Sequence, residues 1–177
     1  MSERRKANVL ETTYFITLPV VGWLDIFIRE EYSDIIIKNL QFCQKNKDLE
    51  IYAYVIMTSH IHLICRRNKG LLSDMLRDFK SYTPKILLEN ILENPLESRK
   101  NWLKLVFEYE AKYQSMNAKY MFWQKTSFPI ELTNWEMFEQ KMNYIHQNPV
   151  VSGIVTDASY YNYSSANPLS ELKMNVY

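Results

Sequence analysis

Residues Leu49–Arg66 read LEIYAYVIMTSHIHLICR, and the fold follows from this stretch. It is apolar enough for two buried strands, and Thr58-Ser59 interrupts it once. A hairpin is expected, with strands over Leu49–Met57 and His60–Arg66 and a tight connection between them. Side chains alternate along a strand. Ile51, Ala53, Val55 and Met57 should therefore share one face, with Tyr52, Tyr54 and Ile56 on the other. In the second strand Ile61, Leu63 and Cys65 point to the core, and His60 and His62 point together the opposite way. Two imidazoles at adjacent same-face positions can hold one divalent cation, and Cys65 has the wrong parity to join them.

Upstream, the alternation in Thr12–Leu18 predicts a strand, and Tyr32, Ile35, Ile36, Leu40 and Cys43 predict a helix from about Arg29 to Lys45. Downstream, Ser73 is a candidate N-cap for a helix whose apolar side is Met75, Leu76, Phe79, Ile86, Leu87 and Ile91. Pro84 should kink or restart it. Residues 93–118 are charged, with Trp102, Leu105, Tyr109 and Tyr113 at helical spacing, and read as an inserted helical arm. A strand is expected within Tyr120–Leu132, centred on Met121-Phe122-Trp123. The last helix opens with the capping-box pattern Thr133-Asn134-Trp135-Glu136 and should stop before Pro149. Strand, helix, strand, strand, helix, strand, helix is an α+β order, and the expected architecture is a ferredoxin-like antiparallel sheet with helices packed on one side.

At 177 residues, 47% hydrophobic and 14% aromatic, the chain suits one globular domain over residues 1–177, with its core at about 12–166. Cys43 and Cys65 form no paired-cysteine motif, so neither a disulfide framework nor a thiolate zinc site is expected. The charged opening, Met-Ser-Glu-Arg-Arg-Lys, and the broken apolar stretch Tyr14–Leu24 predict no leader, no membrane association and a cytoplasmic location. A net charge of +1 and a pI near 7.7 argue against bulk electrostatic capture of duplex DNA. Thirteen tyrosines and four tryptophans leave stacking on single strands available.

The last helix adds chemistry to the histidine strand. At 100° per residue, Trp135, Phe138, Met142 and Ile145 make one apolar stripe. Tyr144 and Asn148 sit together on its flank, one turn apart, and His146 lies on the other side as a structural residue. The tyrosine hydroxyl is then free to act over the sheet, and the Asn148 carboxamide oxygen is a hard ligand suited to Mg²⁺ or Mn²⁺. The histidine pair would equally suit Zn²⁺ or Ni²⁺.

Two segments carry a family resemblance. Tyr54–Ile64 (YVIMTSHIHLI) resembles the HUH strand pair of single-tyrosine transposases, and Asn143–Val150 (NYIHQNPV) resembles the tyrosine helix of their REP-associated branch. Gly22-Trp23, Arg77-Asp78-Phe79-Lys80, Phe122-Trp123-Gln124 and Tyr163-Ser164-Ser165-Ala166 add weaker matches, so the likeness runs from about Thr12 to Ala166. The resemblance implies an HUH endonuclease core that cleaves and rejoins single-stranded DNA at hairpin-forming repeats through a 5′-phosphotyrosine. Tyr144 would be the nucleophile, and His60, His62 and Asn148 would be the ligands of Mg²⁺ or Mn²⁺. Relatives of this kind act as monomers or across a homodimer, so both states stay open. Arg66, Arg67 and Lys69 after the histidine strand, and Arg77, Lys80 and Lys85 on the next helix, are candidate DNA phosphate contacts. The alternatives are a non-catalytic hairpin DNA-binding protein of the same fold and a metal-dependent phosphoesterase that leaves Tyr144 without a role.

Overall fold

The computed structural model describes residues 7–114 and 118–177; the charged opening, residues 1–6, lies outside them. The elements are β1 (Tyr14–Pro19), α1 (Glu30–Asn46), β2 (Leu49–Ile56), β3 (His60–Arg67), α2 (Leu72–Glu93), α3 (Lys100–Tyr113), β4 (Ile130–Glu131) and α4 (Trp135–Val151). The four strands form one antiparallel sheet in the order β2-β3-β1-β4. With one helix between β1 and β2 and others between β3 and β4, this is the ferredoxin-like arrangement. Its two central strands register Thr17 against His62 and Pro19 against His60.

Both faces of the sheet are covered. Ile16, Leu18, Ile61, Leu63 and Cys65 join Ile36, Leu40, Met75, Phe79 and Leu87 in the larger core, beneath α1 and α2. Phe15, Val55 and Ile64 pack with Phe138 and Ile145 of α4 on the opposite face. The expectation of helices on one side therefore holds for α1 and α2 and is corrected for α4. Strands buried on both faces cannot leave either one to water. The alternation in β2 is corrected too. A bulge between Ile51 and Ala53 turns Ile51 toward α1 and Tyr52 toward α4, because one extra residue reverses the parity on one side of it.

Several boundaries move. Leu71, not Ser73, precedes α2, and the Ser73 backbone N–H donates to the Ala7 carbonyl. Pro84 and Pro149 lie inside α2 and α4, so α4 runs past Pro149 to Val151. A proline forfeits one donor, and tertiary packing outweighs that loss: Pro149 is buried. The 93–118 segment is no free arm. Leu103, Phe107 and Ala111 of α3 enter the core, so Trp102, Leu105, Tyr109 and Tyr113, the apparent apolar side, face outward. Residues 115–117 lie outside the described part. The last strand is two residues at Ile130–Glu131, while Met121, Phe122 and Trp123 are core side chains on an irregular segment that makes a single bridge, Trp123 to Val20. The capping box expected at Thr133–Glu136 is replaced by a cap one residue later: Asn134 accepts a bond from the Met137 N–H at 2.8 Å.

Glu97, 1% exposed, ties the loop before α3 to the body of the protein. Its carboxylate accepts from Arg29 Nε at 3.1 Å and from Arg99 Nε at 3.0 Å, and Arg99 also donates to the Asp25 carbonyl. The Arg99 and Arg29 guanidiniums hold the carboxyl at about 2, below its ordinary 4.5. A depressed carboxyl contributes stability that is complete above its unfolded pKa and fades as pH falls toward the folded one. Glu97→Gln should therefore destabilise the fold by about 3–5 kcal/mol at neutral pH, since it leaves two arginines facing a neutral group. The deficit in denaturant midpoint should shrink between pH 4.5 and 2; a constant deficit over that window would sink the ion-pair account.

Candidate active site

β3 sets His60 and His62 on the α4 face, where the expected parity holds. Their Nε2 atoms lie 3.0 Å apart, with ring centroids at 4.5 Å. His62 is buried, and its Nδ1 meets Thr17 Oγ1 at 2.9 Å across the β1–β3 register. His60 Nδ1 meets Ser59 Oγ at 3.2 Å. Burial pushes His60 down to about 4. Burial, then the charges of His60 and Lys141, push His62 down to about 3. Both rings are neutral at physiological pH and offer lone pairs.

This pair fits a divalent cation. A cation about 2.1 Å from each nitrogen, with a right angle between the bonds, requires nitrogens about 3.0 Å apart; a tetrahedral angle requires about 3.4 Å. The observed separation matches the first. Among the described residues, no cluster of three or more His, Cys, Asp or Glu side chains could hold a metal ion.

Tyr144 reaches the histidines from α4. Its ring lies 5.3 Å from His62 and 5.9 Å from Phe15, which itself stacks on His62 at 5.2 Å. It is 50% exposed, half on the site and half in solvent. Asn148 follows one turn later on α4, partly buried. His146 turns elsewhere, to Ser165 Oγ at 2.9 Å, in keeping with a structural role. The structure thus brings His60, His62 and Tyr144 together from strand and helix.

The basic candidates lie farther off. Arg66 and Arg67 end β3, about 20 Å along the strand from His60 at ~3.3 Å per residue. Arg66 pairs with Glu50 at 2.7 Å, and Arg67 donates to the Lys47 and Leu71 carbonyls. Lys69 is exposed beyond the strand. Arg77 bridges Asp74 and Asp78. Lys80 is half-buried and donates to the carbonyls of Gln124, Lys125 and Thr126, its partial burial lowering it to about 8. Lys85 is exposed and, with Arg77 and Lys80, lines a groove between α2 and residues 118–130.

Sequence reasoning missed four neighbours of the histidines. Thr17 is a polar residue in an apolar strand, a signal that was available. Phe15 is two positions away on the same face. Trp23 lies edge-on to His60 at 5.3 Å, on a backbone with φ of 54° that follows Gly22 at 60°; such a conformation strains a bulky residue, and the sequence singled out the Gly22-Trp23 pair without showing this contact. Lys141 lies over the Phe15 ring at 5.0 Å and the Tyr144 ring at 5.7 Å, and its spacing of three residues from Tyr144 was the visible clue.

No protein-family model matches the chain, and no curated protein sequence matches it. Among solved structures, a REP-associated tyrosine transposase bound to a REP hairpin superposes with a TM-score of 0.61 at 18% identity, over 93% of this chain and 82% of that one. A candidate transposase from Deinococcus radiodurans R1 gives a TM-score of 0.44 at 14% identity, over 84% of this chain and 97% of that one. The chain shares the fold of the first.

Thr17→Val is isosteric and strands the buried His62 Nδ1. A loss of about 1–3 kcal/mol in denaturant unfolding is expected, together with a change in the His62 imidazole ¹⁵N shifts. Unchanged ¹⁵N shifts would show that Thr17 does not set the ring's tautomer.

Proposed function

We propose that this protein is a divalent-metal-dependent DNA nuclease and strand transferase, acting on single strands at hairpin-forming repeats through a tyrosine–DNA link. The observation that carries the reading is the convergence of two neutral imidazoles, Nε2 to Nε2 at 3.0 Å, with the half-exposed Tyr144 ring 5.3 Å from His62. The fold adds support, being that of a transposase bound to a hairpin. A structural histidine pair would need no exposed phenol above it.

His60, His62 and Asn148 would hold the cation, Mg²⁺ or Mn²⁺, and the 3.0 Å nitrogen spacing is compatible with the right angle of a six-coordinate site. When bound, it draws charge from the scissile phosphate, because its neutral ligands leave its own charge intact. The chain's own residues do the rest. Tyr144 Oη forms a bond to phosphorus, the phosphorus–O3′ bond breaks, and the phenol proton reaches O3′ through solvent. The products are a 5′-phosphotyrosine and a free 3′-hydroxyl. Attack by a 3′-hydroxyl reverses the exchange, and since one phosphate ester replaces another, no nucleotide is consumed. Thr17 and Ser59 fix the imidazoles so that both Nε2 lone pairs point at one place. Phe15 and α4 exclude water from one side of the pair.

Tyr144→Phe keeps the ring and should still bind hairpin DNA while forming no covalent product. Mass spectrometry of the wild-type adduct should place the nucleotide on Tyr144. An adduct on another tyrosine overturns the assignment of the nucleophile. Absence of any adduct on a panel of hairpins with Mg²⁺ or Mn²⁺ favours a non-catalytic DNA-binding protein.

His60→Ala or His62→Ala should weaken Mn²⁺ binding, read by electron paramagnetic resonance, by more than the ~10–100-fold that loss of an outer partner costs. Cleavage should disappear with it. Wild-type cutting by either variant would remove the metal assignment. Hairpins with single-stranded flanks should bind more tightly than the matching duplex, because exposed bases gain ~1–3 kcal/mol each by stacking. Equal affinities through a salt titration would point to nonspecific phosphate binding.

A further inference from the structure

The cluster around Tyr144 holds a cation of the protein's own. Lys141 precedes Tyr144 by three residues on α4, so the two side chains share a face. Its ammonium lies 5.0 Å from the Phe15 ring centre and 5.7 Å from the Tyr144 ring centre. Phe15 stacks on His62, so the lysine hangs at the edge of the His62–Phe15–Tyr144 stack.

Among the described residues Lys141 belongs to no ion pair. Its neighbours three and four positions away on α4 are Met137, Phe138, Tyr144 and Ile145, none of them acidic. Helix lysines usually sit beside a carboxylate or point into water. This one is drawn over two aromatic faces beside the proposed nucleophile. Contact with aromatic faces leaves the ammonium's three donors free for an anion arriving from solvent.

We propose that Lys141 is a catalytic residue that binds the scissile phosphate and stabilises the phenolate oxygen of Tyr144 in both directions of the exchange. The inference rests on the tyrosine–DNA reading above. In cleavage the ammonium faces the non-bridging phosphate oxygens as Tyr144 Oη bonds to phosphorus and O3′ departs. In rejoining a 3′-hydroxyl bonds to phosphorus, the phosphorus–Oη bond breaks, and the ammonium neutralises the departing phenolate until solvent returns its proton. Lysine stays protonated throughout, so no proton is gained or lost on it. Its role complements that of the histidine pair on the sheet.

The test compares Lys141→Gln, Lys141→Met and Lys141→Arg with the wild type on one hairpin oligonucleotide with single-stranded flanks. Lys141→Met keeps the apolar stem over Phe15, so a fold defect in the glutamine variant does not decide the matter. Adduct formation and rejoining are followed at saturating DNA, and binding is measured across a salt series in a Tyr144→Phe background. Loss of the charge should slow both chemical steps by ~10²–10³-fold, the usual effect of removing one donor from a developing anion. It should also flatten log Kd against log salt by about 0.7, the contribution of one single-strand phosphate contact. Arginine should restore the slope and most of the rate. An unchanged rate overturns the proposal, whether or not the salt slope moves, and so does a slow variant that arginine leaves slow. If the wild type forms no adduct, the tyrosine–DNA reading falls and this inference falls with it. A wild-type adduct formed equally fast by Lys141→Gln removes only the role of Lys141.

Discussion

Everything at the candidate site depends on one constraint: two polar rings stand on a central strand whose two faces are both buried. β3 is flanked by β2 and β1, with Ile61, Leu63 and Cys65 packed beneath α1 and α2. His60 and His62 must then occupy the face that α4 covers. A buried imidazole with an unpaired nitrogen is costly, so a neighbouring hydroxyl answers the Nδ1 of each ring. Thr17 takes His62 Nδ1, Ser59 takes His60 Nδ1, and the two Nε2 atoms face one another. The same burial keeps both rings neutral. Desolvation, hydrogen bonding and ligand chemistry here are one arrangement seen three ways.

The helix that closes this face must be held in register with the strand, since the tyrosine approaches from it. Phe138, Ile145 and Pro149 bury its inner side. Beyond it the chain returns along β2: the Ile56 N–H donates to the Tyr163 carbonyl, the Ser165 N–H to Tyr54, and the Asn175 N–H to Ile51. This covers an edge that would otherwise expose a row of unpaired groups. Tyr177 then stacks on Phe138 at 4.0 Å, and His146 meets Ser165. The C-terminal segment thereby fastens α4 to β2 from both of its flanks. Other parts of the molecule carry their charge inward. Lys80, a candidate phosphate contact from its place on the helix after the histidine strand, is committed to three backbone carbonyls and holds the 124–126 segment in place.

The same division runs through what could be read in advance. Strand parity is local and rigid, so the shared face of His60 and His62, and the core face of Ile61, Leu63 and Cys65, were legible from the residues alone. Helical spacing likewise located α1, α2 and α4 and set Tyr144 apart from His146. Where a local rule met a tertiary demand, the rule failed. The bulge at β2 reversed Ile51 and Tyr52. α3 turned its larger aromatic side outward, because Leu103, Phe107 and Ala111 fit against Phe122 and its neighbours. Met121, Phe122 and Trp123 went to the core without forming a strand, since burial asks only for apolar side chains.

By itself, then, the sequence determined most of the order of elements, the histidine pair and the tyrosine helix, because each follows from periodicities of two or 3.6 residues that can be read within one segment. Only the tertiary structure decided that α4 lies across the face bearing the histidines, that Thr17 and Ser59 orient the rings, and that Lys141 stands beside Tyr144 over Phe15. Thr17 with His62, and Lys141 with Phe15, are contacts between residues far apart in the chain. Their geometry comes from how two buried faces close over one sheet, and no single segment encodes it.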